Sequence, residues 1–272
     1  MTAEELTSLL RRTTDLAGAF LTSLPERPVG PPVDLAALRN AMGGALPDHG
    51  EEPLAVVEAL ARAAEPGLVA TAGPRYFGFV IGGSHPAALA ADWLTTAWDQ
   101  NACMYVMSPA AAVAEEIASA WLLDLFGLPP DMSVGFTTGA TMANFTALGA
   151  ARHAVLLRGG WDVEEDGLSG APSITVIASE QSHVTVFAAL QMLGLGRGRV
   201  RRVAADDQGR MRADALTAAL ASVEGPTIVC AQSGNVNTGA FDPLTEIADA
   251  VRARDGWLLV DGAFGAAGAT ER

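Results

Sequence analysis

The sequence predicts an α/β fold in which a mainly parallel sheet carries helices on both faces and follows an N-terminal helical arm. The first observation is an alternation of short β-branched runs with helical segments from residue 133 onward. The second is a helical spacing of apolar residues over residues 1 to about 70. Alternating strands and helices are typical of parallel sheets, because parallel strands need crossover connections. We therefore expect an arm over 1–70 and a large domain over 71–272.

The arm and the segment after it are predicted to be helical. Apolar residues recur at helical spacing around Leu6 to Leu10 and Leu54 to Leu60, and the loop PERPVGPPVD separates them, because clustered prolines are excluded from a helix interior. An aromatic and glycine-rich segment, GPRYFGFVIGG, then precedes two apolar helical stretches, Leu89–Trp98 and Ala110–Phe126. The second stretch ends at Gly127, which is followed by two prolines, a normal helix stop.

From residue 133 onward, strands and helices are expected to alternate. The predicted strands are Ser133–Phe136 and residues 173–179, 199–206, 227–232 and 257–262. The predicted helices cover residues 141–157, 183–193, 213–221 and 243–254. Ligands of parallel α/β sheets bind at the carboxyl ends of the strands. Residues directly after these strands are therefore the candidates for function.

Composition excludes several classes of partner. The net charge of −14 repels phosphate backbones and anionic lipid, so we expect neither nucleic acid nor a membrane surface as a partner. No run of eighteen apolar residues occurs, and the N-terminus lacks the apolar core of a signal peptide. The two cysteines have no metal-ligand spacing. These features favour a cytoplasmic protein without a metal.

Two polar turns follow predicted strands in the first half of the α/β region. Thr137–Thr141 combines small residues with a helix start, so its free N–H groups and the Thr141 hydroxyl form a possible phosphate cradle. An ordinary capped turn is the alternative. In Ser179–His183, the imidazole of His183 could stack on a planar ring and assist proton transfer. The alternative there is a helix capped by Ser182, with a partly exposed histidine.

Two further candidates follow the last strands. Residues 233–243 form a Gly- and Asn-rich loop whose amides, including that of Asn235, could contact a ligand, although the same loop could simply cap the helix after Asp242. Asp261 ends an almost wholly apolar strand, where a carboxylate needs a cation or several donors to offset desolvation. A protonated pyridine nitrogen would serve as that cation. Capping of a turn and metal ligation are the alternatives for Asp261.

Several ordered motifs together resemble one enzyme family. They are PRYFGFVIGG, QNACMYVMSPAAAVAEE, TTGATMANFTAL, SEQSHVTVFAAL, NVNTGAFDP and WLLVDGAFG, which extend from about residue 70 to the end. This series resembles the group II PLP-dependent amino acid decarboxylases, the aromatic-L-amino-acid and glutamate decarboxylase family. The resemblance implies a fold-type-I PLP-dependent transferase-like fold, pyridoxal 5'-phosphate as cofactor, an amino acid as substrate, and a homodimer in which the arm clasps the second subunit. It implies decarboxylation to the amine and CO2.

The resemblance also implies roles for individual residues. Gly139, Ala140 and Thr141 would bind the cofactor phosphate, and Asn235 would lie near that phosphate or the ring edge. Two residues would act in catalysis, His183 by stacking on the ring and Asp261 by pairing with its nitrogen. The remaining assignments are contact with the opposite ring face by Ala263 and the substrate entrance at Tyr76 and Phe77.

The family's catalytic lysine has no counterpart in these 272 residues, whose 17 basic residues are all arginine. In the family that lysine follows the VDGAFG segment, within an Asp-x-His-Lys stretch, and an arginine cannot replace it as a nucleophile. The resemblance therefore implies the N-terminal part of such an enzyme, without the Schiff-base lysine and the small C-terminal domain, and inactive alone. The alternatives are an aminotransferase or carbon–carbon lyase of the same fold, and a noncatalytic, lysine-free binding or scaffold protein.

Overall fold

A computed structural model describes residues 1–266 of the chain, which divides into two compact units, Met1–Gln100 and Asn101–Arg272. The first unit is helical. Its elements are α1 (Ala3–Ser23), α2 (Leu35–Met42), α3 (Pro53–Ala64), a one-turn 3-10 helix (Glu65–Gly67) and α4 (Pro86–Trp98). The predicted helices of the arm and the helix ending at Trp98 are thus present.

Local capping explains where the helices of the first unit begin. Thr2 and Glu5 form a reciprocal capping box at the start of α1, and Asp34 accepts two backbone hydrogen bonds at the start of α2. Proline is the first residue of both α3 and α4, where its missing N–H costs nothing. An ion pair of 2.7 Å between Arg12 and Glu58 joins α1 to α3.

The second unit contains the sheet. Its helices are α5 (Pro109–Leu125), α6 (Ala140–Arg158), α7 (Val163–Asp166), α8 (Val184–Met192), α9 (Ala213–Ala221) and α10 (Leu244–Arg252). Its strands are β1 (Thr175–Ser179), β2 (Arg201–Val203), β3 (Thr227–Gln232) and β4 (Trp257–Asp261), and a 3-10 turn covers Arg197–Arg199. In the part of the chain that the structure describes, no helix is long and apolar enough to cross a bilayer.

The four strands pair in the order β2-β1-β3-β4, and every pairing is parallel. One face of the sheet packs against α6 and α8 in a cluster that includes Leu148, Leu190 and Ile228. The other face packs against α9 and α10, where Leu216 and Ile247 are fully buried. The predicted mainly parallel sheet with helices on both faces is confirmed.

One predicted strand is wrong. Residues Ser133–Phe136 belong to no helix and pair with no strand among residues 1–266, and Phe136 is 51% exposed. A segment becomes a strand only where a neighbouring strand pairs with its backbone, and among residues 1–266 no strand pairs with this one. The other strands form inside their predicted ranges, and α6 starts at Ala140, one residue before the predicted range of 141–157.

Candidate functional site

The carboxyl ends of β3 and β4 carry polar side chains on the face that packs against α6 and α8. Asp261 is the last residue of β4 and lies beside Gln232, the last residue of β3, in the strand register. Side chains alternate between faces along a strand. Because Cys230 and Leu259 belong to the cluster under α6 and α8, Gln232 and Asp261 are directed to that same face.

Asp261 is half-buried, and both of its carboxylate oxygens accept a hydrogen bond. Asn144 of α6 donates from Nδ2 to Oδ2 at 3.1 Å, and the backbone N–H of Ala263 donates to Oδ1 at 3.2 Å. The backbone carbonyl of Asp261 also accepts from Ser233 N at 2.8 Å. These contacts fix the orientation of a negative charge at the edge of the sheet.

Asn144 links this carboxylate to the start of α8. Its side-chain nitrogen also donates to the Thr185 hydroxyl at 3.3 Å, and the residue is only 5% exposed. The Thr185 hydroxyl in turn lies 2.9 Å from Nδ1 of His183. Three hydrogen bonds therefore connect Asp261 and His183, the two residues predicted to be catalytic.

His183 caps α8, so the alternative in which Ser182 caps this helix is wrong. Nδ1 of His183 accepts from the backbone N–H of Thr185 at 3.4 Å, and His183 occupies the N-cap position of the helix. With Thr185 donating its hydroxyl proton to the same nitrogen, Nδ1 is the acceptor of the ring, which directs the proton of the neutral imidazole to Nε2. The cap thus fixes both the ring orientation and the tautomer.

The predicted phosphate cradle lies at the start of α6. Gly139 is the N-cap with a φ of 153°, and no side chain caps the helix, so the N–H groups of its first turn have no side-chain partner. Thr141 precedes Asn144 by three residues, less than one helical turn, so both belong to one face of α6. The Gly139–Thr141 turn is therefore joined through α6 to Asp261.

The loop after β3 is shaped by its own side chains. Oδ1 of Asn235 accepts from the backbone N–H of Asn237 at 2.9 Å and from that of Thr238 at 3.4 Å, and Asn235 is 3% exposed. These bonds use the Asn235 carbonyl within the loop. The predicted contact of Asn235 with a cofactor remains a prediction.

Asp242 holds the loop to the sheet and does not cap the following helix. Its carboxylate accepts from Met211 N at 2.7 Å and from Gln232 N at 2.8 Å, whereas α10 has Pro243 at its N-cap and no side-chain cap. Burial raises the pKa of the Asp242 carboxyl above its usual value, although these two N–H donors act in the opposite direction. The alternative in which this loop caps the helix is wrong.

Two glycines allow the loops after β3 and β4 to approach each other. Gly234 has a φ of 95°, and a Cβ there would lie 2.9 Å from the backbone nitrogen of Gly265. A Cβ on Gly265 would lie 2.6 Å from the carbonyl oxygen of Ser233. Both positions therefore require glycine for close backbone contact. This contact brings the loop after β3 and the loop after β4 together beside Asp261.

Two buried polar groups, the Gln232 amide and the Cys230 thiol, lie next to Asp261 at this edge of the sheet. Gln232 is 6% exposed, and its Nε2 has no hydrogen-bond partner among the described residues. Cys230, two residues earlier on the same face, is fully buried, and burial followed by the charge of Asp261 raises its pKa to about 12. A cation for Asp261, an acceptor for Gln232 and an anion for the start of α6 would complete the site.

The remaining predicted residues lie elsewhere in the chain. Tyr76 and Phe77 belong to the first unit, where Tyr76 is half-buried and Phe77 is 91% exposed. Ala263 is exposed in the second unit and contributes its backbone N–H to Asp261. Their roles at the substrate entrance and the ring face remain predictions. Across residues 1–266, no three His, Cys, Asp or Glu side chains cluster as metal ligands would.

Sequence reasoning missed three residues of this site, Asn144, Thr185 and Gln232. Asn144 and Thr185 are polar residues on helices, and Gln232 is the polar last residue of a largely apolar strand. A buried polar group costs free energy unless it is hydrogen-bonded, so polar residues on an apolar helix face or at the end of an apolar strand are the signal that could have identified them.

The chain is similar to known proteins of one family. The family profile described as "Pyridoxal-dependent decarboxylase conserved domain" matches residues 36–269. The chain is 29% identical to an aromatic-L-amino-acid decarboxylase of Bacillus atrophaeus over 270 residues, covering 98% of this chain and 54% of the relative. It is 32% identical to a human acidic amino acid decarboxylase over 222 residues, covering 80% of this chain and 42% of the relative.

Solved structures give the same result for the fold. The structure of mouse CSAD matches with a TM-score of 0.87 at 27% identity, covering 96% of this chain and 56% of that chain. The structure of Oryza sativa TDC with PLP and tryptamine matches with a TM-score of 0.85 at 25% identity, covering 96% of this chain and 55% of that chain. The chain thus spans about half the length of the proteins that it matches. The match of the family profile to most of its residues shows that the chain belongs to the pyridoxal-dependent decarboxylase family.

Proposed function

We propose that these residues form the cofactor-binding part of a pyridoxal-phosphate-dependent decarboxylase that converts an amino acid to the amine and CO2. The observation that carries the proposal is the hydrogen-bonded series Asp261, Asn144, Thr185 and His183 at the carboxyl edge of a parallel sheet. Family membership supports the same cofactor and the same reaction class.

The donors and acceptors at this edge fit pyridoxal phosphate. The carboxylate of Asp261 suits a protonated ring nitrogen, because an opposite charge at short range favours the protonated form. The uncapped start of α6, at Gly139, Ala140 and Thr141, suits the phosphate through its N–H groups and its positive dipole end. The similar Oryza sativa protein has been solved with PLP, which further supports this cofactor.

The chemistry follows from what these side chains hold in place. Pyridoxal phosphate held by these residues would supply a ring that can take up the electron pair left when the α-carboxylate departs as CO2. Asp261 would favour the protonated form of the ring nitrogen, which would strengthen this property of the ring. Asn144 holds Oδ2 of Asp261 in one direction, and Thr185 holds His183 with its Nδ1 occupied. His183 can therefore present a ring face of fixed orientation and a proton at Nε2. The amine that would bind the cofactor covalently is not among these 272 residues.

Substitution of Asp261 tests this function. In the intact protein, Asp261→Asn should reduce release of labelled CO2 from carboxyl-labelled amino acids by about 100-fold or more, because an amide cannot stabilise the ring-nitrogen charge. Asp255→Asn is the matched control, since the Asp255 side chain is 83% exposed and forms only a surface ion pair with Arg158. Equal activity of the two variants would contradict the proposed role of Asp261. Absence of CO2 release from the unsubstituted protein with aromatic, acidic and diamino substrates would contradict the proposed reaction.

We also propose that the arm over residues 1–70 contacts a second copy of the protein. Helices α1 to α3 expose large apolar side chains. Exposed apolar surface of this kind is typical of an interface with another protein chain. These side chains are Leu6, Leu10, Leu35, Met42, Val56 and Leu60. Leu10→Glu should shift the intact protein toward monomer in sedimentation velocity, whereas Ser8→Glu, on an exposed polar position of the same helix, should not. A dimer unaffected by Leu10→Glu would argue against the arm as the interface.

A cytoplasmic location is proposed on the basis of the cysteines. Cys103 and Cys230 are both free thiols in the structure, as expected in a reducing compartment. Fractionation of cells that express the intact protein tests this proposal, and recovery in a secreted or membrane fraction would contradict it.

A further inference from the structure

The side chain of Gln232 is a buried donor that the fold leaves unused. Its backbone is fully engaged, because the N–H donates to Asp242 at 2.8 Å and the carbonyl accepts from Asp242 N at 3.1 Å. Its side-chain Nε2 has no partner among the described residues, although the residue is only 6% exposed. A buried amide without an acceptor lowers stability, so packing alone does not account for glutamine at this position.

The position of Gln232 directs this donor to the candidate site. Gln232 and Asp261 are register partners at the ends of adjacent parallel strands, and strands in a sheet lie about 4.8 Å apart. Both side chains belong to the face beneath α6 and α8, the face that carries Asn144 and His183. Asp261 does not satisfy the amide, because Gln232 Nε2 has no hydrogen-bond partner among the described residues. A carboxylate with fixed orientation and a free amide donor therefore lie side by side.

The carboxylate of Asp261 and the amide of Gln232 together match a ring that carries a protonated nitrogen and, on a nearby ring carbon, a hydroxyl oxygen. We propose that Gln232 donates its free amide hydrogen to the hydroxyl oxygen on the pyridoxal ring. This oxygen is bonded to the ring carbon that lies two positions from the nitrogen with which Asp261 pairs. The inference rests on the proposed function and adds a cofactor-contacting residue to it. Gln232 Nε2 is a buried donor next to Asp261 that has no partner among the described residues.

The proposal predicts effects of opposite sign on the free and the bound protein. Gln232→Met keeps the approximate size of the side chain and removes its polar atoms. In the intact protein without cofactor it should raise Tm by about 2 °C or more, because the substitution removes an unsatisfied buried donor. It should also weaken equilibrium binding of pyridoxal phosphate about tenfold, which corresponds to about 1.4 kcal/mol. Gln191→Met, on an exposed position of α8, is the matched control and should change neither quantity.

A binding cycle with 3-deoxypyridoxal phosphate, which lacks only the ring oxygen, identifies the acceptor. The unsubstituted protein should bind this analogue about tenfold more weakly than pyridoxal phosphate, and Gln232→Met should bind the two compounds equally. Tight binding of pyridoxal phosphate by Gln232→Met, an equal preference for the oxygen in both proteins, or a lower Tm of the free variant would overturn the inference and leave the proposed function intact. Lack of saturable binding of pyridoxal phosphate by the unsubstituted protein would overturn both.

Discussion

The two units of the chain bury their apolar residues to very different extents. In residues 1–100, helices α1 to α4 contain no buried residue, and the only buried hydrophobic residues of this unit are Leu24 and Ala70. In the second unit, all six residues of β3 are buried. In the sheet, a polar side chain therefore indicates a functional or structural contact, because its burial requires a hydrogen-bond partner. In the helical unit, the exposed apolar side chains are the ones that require an explanation.

The largest expected effect of this difference is on stability. Ile228→Ala, in the centre of the sheet, should lower the free energy of unfolding by about 2–5 kcal/mol, because the side chain is fully buried and leaves a cavity. Leu46→Ala, in the exposed segment between α2 and α3, should change it by less than about 0.5 kcal/mol. Urea denaturation followed by circular dichroism measures both. Similar losses for the two variants would show that the helical unit has a buried core as well.

A smaller loss is expected at the loop after β3. Asp242→Asn should cost about 1–3 kcal/mol, because the two carboxylate oxygens accept from Met211 N and Gln232 N and the new NH2 group would face one of these donors. Asp249→Asn, on the exposed surface of α10, serves as the control and should be close to neutral. Chemical denaturation at neutral pH measures the difference. A neutral effect of Asp242→Asn would mean that these bonds do not hold the loop.

The contribution of the Asp242 carboxyl to the free energy of unfolding should change with pH in one definite direction. Burial raises the pKa of Asp242 in the folded state above its unfolded value, so the folded state binds the proton more tightly. This contribution to stability is complete below the ordinary carboxyl pKa and is lost as the pH rises through the raised pKa. Comparison of unfolding free energies for the protein and Asp242→Asn across this range measures it. A contribution of Asp242 that grows as the pH rises would contradict the assignment.

The smallest expected effect is a difference in thiol reactivity between the two cysteines of the second unit. Cys230 is buried on β3, and burial together with the charge of Asp261 raises its pKa to about 12, whereas Cys103 is exposed. Because the thiolate is the reactive species, a thiol reagent at pH 8 should modify Cys103 in the folded protein and Cys230 only after unfolding. Reaction with Cys103→Ser isolates Cys230. Rapid modification of Cys230 in that folded variant would contradict the burial of this face of the sheet.

The fold was largely predictable, because hydrophobic patterning determines where buried strands lie. The run TIVCAQ is apolar and β-branched, and it forms β3 over the predicted residues. Ser133–Phe136 also contains a β-branched and an aromatic residue, but no neighbouring strand completes its hydrogen bonds in the described part of the chain. Pairing is a tertiary property, so the local pattern could not distinguish the two segments.

The site was only partly predictable, for a related reason. Asp261 and His183 follow strands and could be identified by position, whereas Asn144 and Thr185 become informative only once α6 and α8 pack on the same face. The alternative of a Ser182 cap for α8 followed from serine being a common N-cap residue, yet the imidazole of His183 takes that position. Hydrogen-bond partners far apart in sequence depend on packing, which a single sequence does not reveal.

The central claim is that Asp261, held by Asn144 at the end of β4, supplies the negative charge for a pyridoxal ring nitrogen. Nitrogen NMR of the intact protein loaded with ring-¹⁵N-labelled pyridoxal phosphate tests it most directly. The chemical shift should be that of a protonated nitrogen at neutral pH in the unsubstituted protein and should move to the unprotonated value in Asp261→Asn. An unprotonated ring nitrogen in the unsubstituted protein, or the same shift in both proteins, would contradict the claim.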